Sequence, residues 1–265
     1  MSLKFKNQTI LITGASSGIG QQVAYESAKD GANLILCARR TDKLEEVKNT
    51  CESLGAHSVR IFSLDIGEPE NIDNLMDFLN IENIQVDVLI NNAGFGHDEP
   101  FLETDFDLVL DLFKVNVLGL MYLTQKIAVN MLDQPKGQII NIASLAGKVS
   151  TPNYATYGAT KGAVISFSNA LRMELKAVNI QVTVVNFGPV DTPFFDHVGS
   201  DRKEKADKSP FTLTVEQAGK IVTNTIGTKK REVNRPLLLA AGAKIYHVTP
   251  QLVDYVLVKY YNREK

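Results

Sequence analysis

Tyr157 and Lys161 stand four residues apart in a stretch with helical periodicity, so we expect their side chains on one face of a helix. A tyrosine hydroxyl has an unperturbed pKa of about 10, which is too high for efficient proton transfer near neutrality. A nearby ammonium group favours the phenolate and lowers that pKa. The pair is a candidate acid–base centre, although a Tyr-x-x-x-Lys spacing also arises by chance.

Ser144 follows a predicted strand at the point where a sheet would open onto a crevice. Its hydroxyl group can hydrogen-bond to a substrate carbonyl and polarise it. The competing interpretation is a cap or turn residue, a position that serine also favours.

A glycine-rich stretch, Thr13-Gly14-Ala15-Ser16-Ser17-Gly18-Ile19-Gly20, lies between the first predicted strand and the first predicted helix. A dinucleotide pyrophosphate needs a tight turn, close approach to the backbone and N–H groups at a helix start, and three glycines can supply these. The spacing is G-x-x-x-G-x-G instead of the commoner G-x-G-x-x-G. An ordinary glycine-rich connection is the alternative, but the place in the chain favours a dinucleotide. The predicted cradle comprises Gly14, Ser16, Ser17, Gly18, Ile19 and Gly20.

The second predicted strand ends in Arg39 and Arg40, about 20 residues past this turn. A chain that binds NAD carries an aspartate or glutamate there for the ribose hydroxyls. Two guanidinium groups stand in its place, and arginine suits phosphate because its planar fork bonds two oxygens. The sequence therefore predicts NADP(H), with Arg39 the stronger candidate and Arg40 the weaker. Two solvated arginines at a helix start are the alternative.

Two further segments follow strands in positions where a cofactor would bind. Asp65, after the third strand, is a candidate acceptor for an adenine amino group. Asn92, Ala93 and Gly94, after the fourth strand, are small enough for their backbone to approach the cofactor. For these three residues, a turn without function is the alternative.

Short apolar runs alternate with longer stretches of helical periodicity along the chain. This alternation predicts an α/β, single-domain Rossmann fold over residues 1–265, a doubly wound parallel sheet of about seven strands with helices on both faces. The predicted strands are Gln8–Thr13, Asn33–Ala38, Ser58–Leu64, Val86–Asn91, Gln138–Ala143, Gln181–Asn186 and Pro236–Ala240. The predicted helices lie near 18–30, 41–54, 69–80, 104–131, 154–178 and 215–227.

Two regions interrupt the alternation. Residues 189–212 are rich in Pro, Gly, Ser and charged residues and fit a loop that closes over a substrate, with plain disorder as the alternative. Phe194 and Phe195 are candidates for the apolar underside of that loop. The apolar tail, residues 242–265, could form one helical stripe, although Pro250 interrupts it. The tail is compatible with lining the pocket, with a subunit interface or with a membrane surface.

The net charge of −2 and a pI of about 6.1 give no indication of a nucleic-acid partner. Apolar residues make up 44% of the chain, yet no run is long enough for an integral membrane span. The two cysteines build no disulfide framework, and the four scattered histidines lack metal-ligand spacing, so we expect no metal. The simplest compartment is the cytoplasm.

The chain resembles the short-chain dehydrogenase/reductase family, specifically its common branch of about 250 residues. The resemblance covers roughly residues 8 to 240. It rests on Thr13-Gly14-x-x-x-Gly18-Ile19-Gly20, Asp65, Asn91-Asn92-Ala93-Gly94, Asn116, Ser144, Tyr157-x-x-x-Lys161 and Gly188-x-x-x-Thr192, which occur in the family's order and spacing.

The resemblance implies a catalytic tetrad of Asn116, Ser144, Tyr157 and Lys161. Tyr157 would exchange a proton with a substrate oxygen held by Ser144. Lys161 would lower the tyrosine pKa and, with Tyr157, bind the cofactor ribose, while Asn116 would order a water relay. The family also implies a homodimer or homotetramer assembled through two long helices, here those near 104–131 and 154–178. The segment Gly188, Val190 and Thr192 would contact the nicotinamide carboxamide.

Two departures from the family pattern stand out. Phe187-Gly188 replaces the usual Pro-Gly, which could shift the following loop. The chain also lacks the Gly-Gly segment that ends the last strand in bacterial ketoacyl-carrier-protein reductases, and its tail is closer to hydroxysteroid-dehydrogenase-like and retinoid-like reductases.

The expected activity is therefore hydride transfer between NADPH and a carbonyl or secondary alcohol of a small, fairly hydrophobic substrate. One alternative is a nucleotide-binding regulator of the same fold, but such proteins typically lose the tyrosine or lysine. Another is a sugar-nucleotide epimerase or dehydratase, for which 265 residues leave little room for a substrate domain.

Overall fold

A computed structural model describes residues 3–192 and 210–261. Its strands form one seven-stranded sheet in the order β3-β2-β1-β4-β5-β6-β7, and every neighbouring pair is parallel. The doubly wound α/β fold predicted from the sequence is confirmed. The strands are β1 Thr9–Thr13, β2 Asn33–Ala38, β3 Ser58–Ser63, β4 Val88–Asn91, β5 Gly137–Ser144, β6 Ile180–Phe187 and β7 Glu232–Arg235.

Helices cover both faces of the sheet, so the central strands are apolar on both sides. In β1, Ile10 and Ile12 belong to one core cluster, whereas Leu11 between them belongs to the cluster on the other face. The helices are α1 Gly18–Lys29, α2 Thr41–Leu54, α3 Pro69–Ile81, α4 Phe106–Phe113, α5 Leu120–Asn130, α6 Ala155–Glu174, α7 Val215–Thr223, α8 Leu237–Val248 and α9 Pro250–Tyr261.

The last predicted strand, Pro236–Ala240, is wrong. The strand is the preceding polar segment Glu232–Arg235, and Leu237 begins helix α8. Leucine and alanine favour a helix, and Pro236 fits just before it because a helix N-terminus requires no N–H bond there. The sequence of β7 lacks an apolar pattern because this strand lies at the edge of the sheet.

A π-helical segment, Lys114–Gly119, separates α4 from α5 where the sequence predicts one continuous helix. Gly119 packs against the backbone of Ile66, and a Cβ atom at this position would overlap the Ile66 carbonyl oxygen. Such π segments often occur at functional sites. This one carries Asn116.

The tail contains two helices instead of one continuous stripe, because Pro250 starts α9. Helix α8 packs against β7, and α9 packs against α8. None of the helices in the described part of the chain has the length and hydropathy needed to span a bilayer.

We expect Gly119→Ala to lower the free energy of unfolding by about 1–3 kcal/mol, because the added methyl group forces backbone apart in a packed region. Gly242→Ala is the matched control. Gly242 lies inside α8 with nothing within 4 Å of its Cβ position, so alanine should stabilise the helix by roughly 0.5–1 kcal/mol. Urea unfolding of both variants measures the two effects, and equal stability of the two variants would contradict the prediction.

Candidate active site

The strand order reverses between β1 and β4, so the chain continues to opposite sides of the sheet at this point. Ligands of open α/β sheets bind at this position. The predicted site residues follow the carboxyl ends of strands β1 to β6 or lie on the helical segments that pack beside them.

The hydroxyl group of Thr13 connects β1 to the segment after β4. Its Oγ1 accepts hydrogen bonds from the backbone N–H groups of Asn92 and Ala93, both at 3.0 Å. The Asn92 Nδ2 atom donates in return to the carbonyl oxygens of Thr13, at 3.0 Å, and Gly14, at 3.3 Å. Thr13 is fully buried. It was part of the sequence motif but was not predicted as a site residue, since its role depends on a neighbouring strand.

The glycine-rich turn needs its glycines for two distinct reasons. Gly14 and Gly18 have φ angles of +64° and +57°, which L side chains rarely adopt. A Cβ atom on Gly14 would also lie 2.9 Å from the Ala93 Cα atom, and one on Gly20 would overlap the Gly14 carbonyl oxygen. Helix α1 starts at Gly18 without a side-chain cap or an acidic residue in its first turn. Its first N–H groups therefore form a cradle suited to an anion.

The two arginines after β2 have different surroundings. The Arg40 Nη2 atom donates to the hydroxyl groups of Ser16, at 3.1 Å, and Ser17, at 2.9 Å. The Arg39 side chain is 76% exposed, and its Nη1 atom lies 3.9 Å from the Asp65 Oδ2 atom. Arg40 therefore lies directly beside the turn, although sequence reasoning ranked Arg39 first. A guanidinium group beside two serine hydroxyls is a donor set that fits a phosphate.

Asp65 also shapes the turn that follows β3. Its Oδ1 atom accepts a hydrogen bond from the backbone N–H of Gly67 at 3.0 Å. The side chain remains 40% exposed, so its carboxylate still has room for another donor.

Ser144 and Tyr157 are hydrogen-bonded to each other through their hydroxyl groups. Ser144 Oγ also lies 3.2 Å from the carbonyl oxygen of Phe187 and accepts from the Ala146 N–H at 3.1 Å. The Lys161 Nζ atom donates to the Ile142 carbonyl oxygen at 3.2 Å and lies 5.7 Å from the centre of the Tyr157 ring. Both Tyr157 and Lys161 are buried. The three side chains therefore occupy one cluster in which Ser144 is half-buried.

Small residues bring helix α6 against the 3₁₀ turn Leu145–Gly147 that follows β5. A Cβ atom on Gly147 would lie 2.6 Å from the Lys161 carbonyl carbon, and one on Gly158 would lie 2.9 Å from the Ala146 carbonyl oxygen. Larger side chains would separate the helix from the turn. The contact therefore determines the distance between Tyr157 on the helix and Ser144 before the turn.

Asn116 is buried in the π segment and makes a pair of hydrogen bonds with the backbone of Phe95. Its Oδ1 atom accepts from the Phe95 N–H at 3.0 Å, and its Nδ2 atom donates to the Phe95 carbonyl oxygen at 2.9 Å. The Nδ2 atom also donates to Thr160 Oγ1 at 3.3 Å. Sequence reasoning missed the contributions of Phe95 and Thr160.

Gly94 lies between Asn116 and Lys161. A Cβ atom on Gly94 would lie 2.8 Å from Asn116 Oδ1 and 3.7 Å from Lys161 Nζ. Glycine therefore keeps this space open for a group that approaches the lysine.

Burial changes the proton affinity of Tyr157 and Lys161, the predicted acid–base pair. It raises the pKa of Tyr157 above its usual value, while the hydrogen bond with Ser144 acts in the opposite direction. It lowers the pKa of Lys161 to about 8. Tyr157 is therefore protonated at neutral pH in this structure and is ready to act as an acid. A lowering of its pKa by Lys161 stays a prediction.

The segment after β6 lies beside both the turn and helix α8. Gly188 donates its N–H to the Arg235 carbonyl oxygen at 2.7 Å, and Val190 forms an isolated bridge with Leu213. The Thr192 Cγ2 atom lies 3.4 Å from the Cβ position of Gly18. The start and end of the predicted substrate loop are therefore adjacent. Phe194, Phe195 and the rest of the loop up to residue 209 lie outside the described residues.

An ion pair joins the turn after Ser144 to the edge strand. Lys148, directly after the 3₁₀ turn, pairs with Glu232 on β7, and both side chains are mostly buried. Partial burial alone would raise the pKa of Glu232, but the ammonium group of Lys148 brings it below its usual value. Asn186 on β6 donates to the same carboxylate at 2.8 Å. Sequence reasoning did not predict this pair.

Within residues 3–192 and 210–261, no group of three or more His, Cys, Asp or Glu side chains is arranged to hold a metal ion.

The family model described as short chain dehydrogenase matches residues 8–203. An NADP-dependent 3-hydroxy acid dehydrogenase of Schizosaccharomyces pombe is 36% identical over 224 residues, which cover 83% of this chain and 86% of that protein. The 11-beta-hydroxysteroid dehydrogenase-like 3 of Arabidopsis thaliana is 34% identical over 269 residues, covering 97% of this chain and 83% of that protein. The chain therefore belongs to the short-chain dehydrogenase/reductase family of oxidoreductases.

Solved structures agree with this assignment. The closed form of a serine dehydrogenase complexed with NADP+ has a TM-score of 0.80 at 29% identity, covering 87% of this chain and 96% of that one. A Sphingobium yanoikuyae short-chain dehydrogenase in complex with NADPH has a TM-score of 0.79 at 26% identity, covering 94% and 95%.

We expect Lys161→Met to raise the free energy of unfolding at about pH 7 by roughly 1–3 kcal/mol, while it abolishes turnover. The lysine pKa is about 8 when folded and about 10.4 when unfolded, so below pH 8 the folded state bears the full cost of burying a charge. Between pH 8 and about pH 10.4, only the unfolded state keeps the proton on Lys161, so the stability of the wild type rises with pH. The difference in the free energy of unfolding between the variant and the wild type therefore shrinks.

Urea unfolding at about pH 7 and about pH 10 measures this effect. Lys136→Met, at an exposed lysine, is the control and should show no such pH dependence. A Lys161→Met variant no more stable than wild type at pH 7 would contradict the prediction.

Proposed function

We propose that this chain transfers a hydride between NADP(H) and a carbonyl or secondary alcohol of a small, fairly hydrophobic substrate. The observation that carries the proposal is the cluster in which Tyr157 shares a hydrogen bond with the half-buried Ser144 and lies beside Lys161, with both Tyr157 and Lys161 buried. The apolar residues beside it, Leu145 and Ala146, and the Tyr154 ring 6.1 Å from the Tyr157 ring support a hydrophobic substrate.

The cofactor is NADP(H). Relatives and solved structures named for NADP or bound to NADP+ or NADPH support this assignment. In this chain, Gly14, Gly18 and Gly20 would leave room for the pyrophosphate, and Arg40 with Ser16 and Ser17 would hold the 2′-phosphate. Arg39 would add positive charge, and Asp65 would accept from the adenine amino group.

The remaining cofactor contacts come from the segments after β4 and β6. The backbone of Asn92, Ala93 and Gly94 would approach the ribose, with Tyr157 and Lys161 bonding its hydroxyl groups. Gly188, Val190 and Thr192 would contact the carboxamide. The nicotinamide group of NADPH supplies the hydride for the substrate carbonyl carbon when it is bound.

The protein residues then handle the proton. Ser144 would turn its hydroxyl from Phe187 towards the substrate carbonyl oxygen and orient it. Tyr157, protonated because of its burial, would donate its proton to that oxygen, and the reverse reaction would return it. Lys161, charged below about pH 8, would stabilise the resulting phenolate. Asn116 would order a water that resupplies the proton through Lys161.

A nucleotide-binding regulator is the alternative function. Such a protein needs the glycine-rich turn but has no need of a buried lysine that costs stability. The presence of Asn116, Ser144, Tyr157 and Lys161 together favours the enzyme.

We also infer a homodimer or homotetramer. Large apolar side chains are exposed along the predicted interface helices, as expected for a contact between copies. These side chains are Phe106 and Leu110 on α4, Leu118 in the π segment, Met121 on α5 and Met173 on α6.

We expect Tyr157→Phe to lower kcat/KM for carbonyl reduction by about 10²–10⁴-fold, because it removes the proton donor. NADPH oxidation with a panel of hydrophobic aldehydes and ketones measures the effect. NADPH affinity should remain near the wild-type value. Wild-type protein that binds NADPH but reduces none of the panel would favour the regulator, and retained turnover in Tyr157→Phe would contradict the assigned proton donor.

We expect Arg40→Ala to weaken NADPH binding by about 10–100-fold, because charge-assisted hydrogen bonds to phosphate are lost. NADH binding, which involves no 2′-phosphate, should remain unchanged. Fluorescence titration of both nucleotides measures the ratio for Arg40→Ala, Arg39→Ala and the exposed control Arg60→Ala. Unchanged preference for NADPH in the first two variants would remove the proposed phosphate site.

A further inference from the structure

Helix α8 has an exposed apolar face opposite the face that packs on β7. Ala243, on the packed face, is buried, whereas Leu238, Ile245 and Val248 are 66%, 57% and 81% exposed. Their spacing of seven and then three residues places them on one side of the helix. The exposed face is therefore a continuous apolar stripe.

Helix α9 carries a second exposed apolar face. Leu252, Tyr255 and Val256 are 63%, 65% and 55% exposed and share one face at spacings of three and four residues. We call the exposed apolar side chains on these two helix faces the tail stripe: Leu237, Leu238, Ala241, Ile245, Val248, Leu252, Tyr255 and Val256. Val258, which is also exposed, lies off this face towards the side of Asp254.

Two lysines, Lys244 and Lys259, border the tail stripe, whereas Asp254, the acidic residue of these helices, lies away from it. Lys259 follows Tyr255 and Val256 by four and three residues, so it lies on their face, with its Nζ atom 5.8 Å from the centre of the Tyr255 ring. Lys244 lies one turn from Ala241 and Val248 on the edge of the stripe in α8. Asp254 projects from the other side of α9. The described stripe is thus positive, although the whole chain has a net charge of −2.

A basic depression opens along the same edge of α8. It has a volume of about 340 Å³, and Leu237, Ala241 and Lys244 belong both to its lining and to the stripe or its border. Lys230 and Arg235 line its other side. Glu232 also lines it, but the carboxylate of Glu232 is paired with Lys148. The depression presents three cations next to an apolar surface.

We propose that the tail stripe and this basic depression dock on an anionic lipid membrane surface. Apolar side chains of an interfacial helix enter the boundary between headgroups and acyl chains, and lysines beside them extend to the lipid phosphates. Lys244 and Lys259 have this placement, and the depression suits a lipid phosphate. The helices lie on the surface and do not cross it.

A second copy of the chain fits the same stripe less well. A two-fold contact through α9 would remove Lys259 from water among the apolar side chains of both copies. Among the described residues of α9, the acidic one is Asp254, which lies on the opposite side of the helix. It would therefore be too far from such a contact to pair with Lys259. A buried charge without a partner is strongly unfavourable.

The chain contains no tryptophan, so one introduced tryptophan is a specific reporter. We expect Tyr255→Trp to show a blue-shifted emission with phosphatidylglycerol-containing vesicles, quenching by brominated acyl chains, and a much weaker response to phosphatidylcholine alone. Ile81→Trp, at an apolar position on α3 that is even more exposed than Tyr255, is the control and should not respond. Added salt should weaken binding.

Charge variants test the lysines in the Tyr255→Trp background. Lys244→Gln and Lys259→Gln should each lower partitioning into anionic vesicles about fivefold, the equivalent of about 1 kcal/mol per basic residue near an anionic surface. Lys136→Gln is the matched control and should leave partitioning unchanged. Equal losses in all three variants would overturn the proposed orientation, because they would indicate nonspecific attraction.

Two further results would overturn the proposal. The first is a folded Tyr255→Trp protein that shows no shift or quenching with anionic vesicles. The second is a blue shift that grows with protein concentration in the absence of lipid, together with a change in mass by light scattering, which would identify a second copy as the occupant. NADPH binding by the same samples confirms that the variants are folded.

Discussion

The close contact between helix α6 and the turn after β5 is the constraint on which the site depends. Gly147 and Gly158 allow the backbone of the helix and the backbone of the turn to meet, which places Tyr157 on one element beside Ser144 before the other. The contact has no flexible side chain at its centre, so little can adjust if it is lost. The same approach carries Lys161 into the core, where its ammonium group bonds to the Ile142 carbonyl oxygen of β5. The same contacts therefore fix the relative positions of the proposed acid Tyr157, the proposed orienting hydroxyl of Ser144 and Lys161.

This rigidity carries a thermodynamic cost. The pKa of about 8 for Lys161 means that the folded protein holds a charge in surroundings that disfavour it at neutral pH. The cost is tolerated because the surrounding polar groups are fixed by other contacts, such as the paired hydrogen bonds of Asn116 with Phe95. Gly94 places no side chain between Asn116 and Lys161, so the space beside the lysine ammonium group stays open. A site built for proton transfer explains this arrangement better than packing does.

Sequence patterns predicted the parts of the fold that depend on local burial. The central strands are apolar on both faces, so their positions were correct to within one or two residues, and Gly14, Gly18 and Gly20 marked the turn. The edge strand Glu232–Arg235 was missed because a strand at a sheet edge needs no apolar run, and the Leu-Ala segment after it is equally compatible with a helix.

Features that depend on contacts between distant segments were not predictable. The π segment around Asn116 produces no change in periodicity that would distinguish it from an α-helix over six residues. Neither the hydrogen bonds of Arg40 with Ser16 and Ser17 nor the pair of Lys148 and Glu232 has a local signature, since each joins residues more than twenty positions apart. A charged residue in a loop is usually exposed to solvent, so its local sequence does not reveal a distant partner. The order of the strands is needed to show that Lys148 lies next to Glu232 on β7.

Helix α8 connects the proposed membrane face to the site. A Cβ atom on Gly188, in the segment after β6, would lie 2.9 Å from Leu239 Cδ1 on the inner face of α8, while the outer face carries the tail stripe. Lys148 and Glu232 join the turn after Ser144 to β7, the strand on which α8 packs. Within the described residues, helix α8 therefore lies between a membrane bound at its outer face and the segment after β6 beside the proposed site. The apolar tail and the apolar surroundings of Tyr157 then have a common physical explanation, because a substrate that partitions into lipid is concentrated where the tail stripe docks.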